Sequence, residues 1–178
     1  MDCALRLRER HRIAPEEIVE VRCRTAEGPI PRLWEPLAAK HQPPNGYAAK
    51  FSLPYLLACI FVHGRAGLAD FTDEAVQDEA RRRMTARVHY DVDPTIDYPR
   101  HFIGHVTVRL TDGRALEERQ DHPRGGPDFP MTREELTAKF RANAAEAIPP
   151  TQAARVIALV EALAAQPRVG PLMDALDA

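Results

Sequence analysis

Three observations predict an α+β domain with a small, mainly antiparallel sheet packed with helices and followed by C-terminal helices. Short runs alternate apolar and charged residues, as at Val88–Val92 and Val106–Leu110. Helical periodicity dominates the segments between and after those runs. A length of 178 residues is enough for one ordinary domain and a little more.

The elements follow in order. Residues 3–12 carry Ala4, Leu5 and Leu7 among Arg and Glu, a helix that Pro15 stops because proline disfavours helix in the residue before it. Val19, Val21 and Cys23 alternate with Glu20, Arg22 and Arg24, the pattern of a half-buried strand. Between Gly28 and Gly46 runs a proline-rich connection holding Trp34, the one tryptophan. A connection that long is either functional or braced by another surface. Ser52 and Gly64 then bracket an apolar helix, as N-cap and C-cap, with Pro54 in its first turn. The helix is apolar nearly all round, so neighbours must bury it on more than one side.

A second helix is expected from Thr72 as cap, through Asp73 and Glu74, to Arg81–Arg83 at its end. Two strands follow, and Asp112-Gly113 turns the second into a partner strand through Leu116 and beyond. Thr132 and Glu135 form a capping box that opens the next helix, Pro149-Pro150 breaks it, and a last helix spaces Val156, Leu159, Val160 and Leu163.

Composition removes several function classes. The 24 Lys plus Arg are outweighed by 26 Asp plus Glu, against the basic excess of a nucleic-acid binder. No nucleic-acid partner is expected. The most apolar stretch, residues 51–62, is too short for a membrane span and contains Ser52 and Pro54. No membrane partner is expected either. The N-terminus has no apolar leader segment, and three scattered cysteines fit a reducing compartment, so the expected location is the cytoplasm.

Few residues offer chemistry. His101 and His105 flank Gly104 at the start of a strand and lack a third ligand, so they read as solvent-facing side chains, and no metal or cofactor is expected. Arg81–Arg83 read as a solvated helix end, and Asp70, Asp73 and Asp78 as caps around a helix start. Lysine is scarce, at Lys40, Lys50 and Lys139 only. Lys50 lies just before the apolar helix with Tyr47 nearby, where a cation and a helix N-terminus could together hold a carboxylate. A lysine that merely snorkels to solvent is the alternative.

The segment AKFSLPYLLACIFVHGRAGLADF resembles the MmgE/PrpD family, which includes 2-methylcitrate dehydratase, cis-aconitate decarboxylase and iminodisuccinate epimerase. The likeness rests on Ala49–Ser52, on Gly64–Leu68 with Phe71, and on Asp93-Pro94. It continues through Val106–Val108, Asp112–Arg114, Arg124–Pro127, Glu135-Leu136 and Lys139-Phe140, covering nearly the whole chain in order. Family members are longer and have a large helical domain plus a smaller α+β lid. The resemblance implies that residues 1–148 are the lid, and that residues 149–178 are a helical tail that in the family returns to the helical domain.

It also implies a small di- or tricarboxylate substrate, with most acid–base residues on a separate helical-domain chain and Lys50 at the lid's basic position. Dehydratase and decarboxylase members have a histidine where this chain has Phe51, which argues against both of those activities. The expected reaction is proton abstraction followed by dehydration, decarboxylation or epimerisation, as a lyase or isomerase that needs the helical domain. The alternative is a non-catalytic binding or assembly module, or a truncated relic. A homo-oligomer through exposed apolar surface is also expected.

Overall fold

Ile18 and Val21 both face the core although three positions separate them, and this sets the geometry of the central strand. A computed structural model describes residues 1–177. Strand β1 (Ile18–Thr25) carries a register shift between Ile18 and Glu20. A bulge there inserts one extra residue, and Val19 is left 51% exposed while Ile18, Val21 and Cys23 are buried. The strict alternation expected through Val19 therefore breaks at its first member.

Within residues 1–130, one of two compact units, β1 pairs with three further strands in the order β2-β1-β3-β4. Strand β2 (Val88–Val92) runs parallel to it, with Val21 opposite Val88 and Cys23 opposite Tyr90. Strand β3 (Gly104–Leu110) lies antiparallel on the other side, and β4 (Ala115–Gln120) returns antiparallel to β3. The sheet is thus mainly antiparallel, and the expected α+β fold is found. Gly113 makes the β3–β4 turn at φ 88°, a left-handed conformation that favours glycine, while Asp112 accepts from the Arg114 amide at 2.9 Å.

The parallel β1–β2 pair needs a long crossover, and the chain supplies it in short helices and one buried one. These are α2 (Ile30–Leu33), α3 (Leu37–His41), α4 (Gly46–Ala49), α5 (Leu53–His63) and α6 (Glu79–Thr85), with α1 (Asp2–His11) preceding β1. Ser52 accepts from the Tyr55 amide at 3.0 Å to cap α5, and Gly64 ends it in the left-handed region. Leu57, Ala58, Ile60 and Phe61 of α5 join Leu7 of α1 and Val21, Val88 and Val108 of the sheet in the main core. Trp34 is fully buried, with its ring 4.8 Å from Tyr90, so the proline-rich connection is braced against β2.

The expected helix from Thr72 is divided. Thr72 accepts from the Ala75 amide to open a single 3-10 turn at Ala75–Gln77. Asp78 then caps α6, accepting from the Arg81 amide at 2.8 Å. Arg81 is not part of a solvated end. It is 8% exposed and pairs at 2.6 Å with Asp70, which is 1% exposed. Arg82 and Arg83 do face solvent.

The second unit, residues 131–178, contains α7 (Arg133–Ala144), α8 (Pro150–Glu161) and α9 (Gly170–Leu176). The Thr132–Glu135 capping box is formed, with the Thr132 amide donating to Glu135 at 2.8 Å. Gln152 ties α8 to the end of α9 by donating to the Ala175 and Asp177 carbonyls. No helix is long and apolar enough to cross a membrane among the described residues.

Candidate functional site

The site is built on a turn that packs unusually close to its support. Asn45 caps α4 by accepting from the Ala48 amide at 2.8 Å, and the Gly46 amide donates to Asp73 at 2.8 Å. A Cβ on Gly46 would lie 1.9 Å from the Phe71 carbonyl oxygen, so only glycine lets α4 sit against this loop. The loop is itself fixed from below. Asp70 accepts from the Gly67 amide and from Arg81, and its carbonyl accepts from the Tyr55 hydroxyl at 2.5 Å.

Lys50 follows α4 directly in helical conformation, its amide donating to the Tyr47 carbonyl at 3.2 Å. Tyr47, Lys50 and Phe51 stand at i, i+3 and i+4, so they share one side of the turn. The Tyr47 and Phe51 rings meet edge to face at 5.4 Å, although Tyr47 is 71% exposed. Lys50 is exposed, and among the described residues nothing accepts a hydrogen bond from its ammonium or pairs with it.

Two further cations approach Phe51 from the proline-rich connection. The Arg32 guanidinium lies over the Phe51 ring, 4.9 Å from its centroid. The Lys40 ammonium donates to the Arg32 carbonyl at 2.6 Å and to the Phe51 carbonyl at 2.7 Å. Ser52 Oγ donates to the Lys40 carbonyl at 2.5 Å and closes the loop. Desolvation holds the Lys40 ammonium below its ordinary pKa. Lys40 thus staples the connection to the start of α5, a role that its position in a proline-rich loop does not reveal. Arg32 was also beyond sequence reading, because nineteen positions separate it from Phe51 and only the fold brings them together.

The neighbouring acids are committed elsewhere. Glu35 accepts from the Tyr90 hydroxyl at 2.6 Å and from the Leu37 amide at 2.8 Å, and these bonds hold its carboxyl below the usual range. Asp73 is engaged by Gly46. This face therefore presents cations and aromatic rings and can hold an anion. It offers no obvious proton-transfer base beside Lys50. A cavity of about 270 Å³ in this unit is lined by Leu33, Leu53, Cys3 and His101 among others.

The histidine pair is rearranged relative to expectation. His101 is exposed, but His105 is 8% exposed and bonded to Glu117 across the β3–β4 hairpin. The bond runs diagonally, since His105 stands opposite Arg119 and Glu117 opposite Thr107, a pairing that the local sequence spacing cannot show. That bond lowers the Glu117 carboxyl pKa. Among the described residues, no group of three His, Cys, Asp or Glu side chains could hold a metal ion.

No curated protein matches the chain. The MmgE/PrpD C-terminal domain family matches residues 1–165, which takes in the sheet, the Lys50 turn and the α7–α8 pair. The chain belongs to the MmgE/PrpD family, by its C-terminal domain.

Proposed function

We propose that this chain is the lid portion of an MmgE/PrpD-type enzyme acting on a small di- or tricarboxylate, with Lys50 holding a substrate carboxylate. The observation that carries this reading is that Lys50, on the turn that carries Tyr47 and Phe51, is exposed and unpaired among the described residues, while Glu35 and Asp73 are already engaged. A charge-assisted hydrogen bond to a carboxylate is the strongest interaction open to it. The reaction removes a proton next to a carboxylate and then loses water or CO2, or returns the proton to the other face. Phe51 has no proton to give or take, so in this reading the base comes from a helical domain of the family. The lid alone is inactive. Mixed with a helical domain of the family, this lid binds it, and together they turn over a tricarboxylate that neither turns over alone. A pair that neither associates nor binds any tricarboxylate contradicts this reading.

A second reading, a non-catalytic assembly module, is favoured by a different observation. In the second unit Leu136, Val160, Leu163 and Met173 are exposed, and Leu136, Phe140, Val156 and Val160 line an apolar groove of about 230 Å³. Apolar surface of this kind drives self-association into a homo-oligomer. Tricarboxylate titration distinguishes the readings: an oligomer that ignores tricarboxylates supports assembly, and a chain that binds them supports the lid.

A further inference from the structure

The fold brings Arg32 to the turn that carries Lys50, so two cations from different parts of the chain meet one short segment. Arg32 lies over the Phe51 face, and Lys50 precedes Phe51 on the turn that also carries Tyr47. Among the described residues, neither cation forms an ion pair. The arrangement is held by backbone. The Lys40 ammonium donates to the carbonyls of both Arg32 and Phe51, so the two segments cannot drift apart without breaking those bonds. Among the described residues no acceptor engages the Arg32 guanidinium, so its N–H fork is open to a planar bidentate partner, which an ammonium cannot grip in that way.

We propose that Arg32 is the second cation of the Lys50 site and selects ligands that carry two carboxylates. Lys50 holds one carboxylate, Arg32 grips another through its N–H edge, and the Phe51 ring faces the carbon bridge between them. This rests on the reading of Lys50 given above and adds to it a residue and a selectivity. A ligand with one carboxylate engages one cation only.

The test uses the full chain and titrates citrate, succinate and acetate by isotope-edited NMR. Arg32→Ala is expected to weaken citrate and succinate about tenfold, the loss of one bidentate charge-assisted contact, while acetate stays within about twofold. Arg32→Lys keeps the charge but not the fork and recovers only part of the loss. Lys50→Ala weakens all three. If Lys50→Ala weakens citrate and neither Arg32 variant does, the role of Arg32 is overturned and that of Lys50 stands. If the unaltered chain binds no carboxylate, or Lys50→Ala changes nothing, the Lys50 reading fails and the Arg32 role fails with it.

Discussion

Arg81 donates to Asp70 at 2.6 Å inside the first unit, with both side chains almost wholly removed from solvent. Asp70 also holds the Gly67 amide, and Arg81 donates to the Ala75 carbonyl at 3.0 Å. The pair therefore fixes the loop that supports α4, and through α4 the position of Lys50. Among the described residues Arg81 Nε finds no partner of its own, so the network is incompletely satisfied. Removing one partner leaves a buried charge uncompensated. Asp70→Ala is expected to destabilise the fold by about 3–5 kcal/mol, measured by urea denaturation. The double variant Asp70→Leu with Arg81→Met should recover much of that loss. If it is no more stable than Asp70→Ala, the cost is not that of an orphaned charge.

Gly46 supports the site more directly. Gly46→Ala forces a Cβ against the Phe71 carbonyl, so α4 must move or the loop must give. A destabilisation of about 1–3 kcal/mol is expected, together with weakened citrate binding by the folded protein. Unchanged thermal stability and unchanged citrate affinity would show that α4 does not need this close approach.

The cysteines give a prediction in pH. Burial pushes the Cys23 thiol up from 9.0 to about 12 and the Cys59 thiol from 9.0 to about 11. Because the folded pKa values are raised, the stability this provides is complete below pH 9.0 and is lost as pH rises towards those values. Iodoacetamide at neutral pH should leave both thiols unmodified in the native protein and modify them in urea. The urea midpoint should fall above pH 9.0, less steeply in Cys23→Ala. Rapid native labelling of Cys23 or Cys59 would contradict their burial.

The second unit predicts association. Leu136→Glu with Val160→Glu places charge on the exposed lining of the α7–α8 groove. Sedimentation velocity should show the unaltered chain as an oligomer and the double variant as a monomer with unchanged helix content. An oligomer that survives both substitutions uses a different surface.

Local signals were legible where a few adjacent residues decide the outcome. Ser52 and Gly64 bound α5, the Thr132–Glu135 box opens α7, and Asp112-Gly113 turns the hairpin, each through backbone groups within a few positions. What was not legible depends on residues that meet through the fold. Arg81 resembles the solvated end of a helix until Asp70 folds back to it from eleven positions away. Val19 belongs to an alternating run until the antiparallel partner imposes a bulge. At the candidate site, Lys50 could be singled out by its rarity and position, but Arg32 and Lys40 could not be joined to it. Their meeting depends on how the proline-rich connection packs, which no periodicity records.

The most direct test of the Lys50 assignment is chemical-shift mapping of citrate on the isotope-labelled full chain, alongside Lys50→Ala. The expected result is a saturable set of shifts centred on Tyr47, Lys50 and Phe51 that disappears in the variant. Shifts centred elsewhere, or an unchanged response in Lys50→Ala, would contradict Lys50 as the carboxylate-holding residue of this MmgE/PrpD domain.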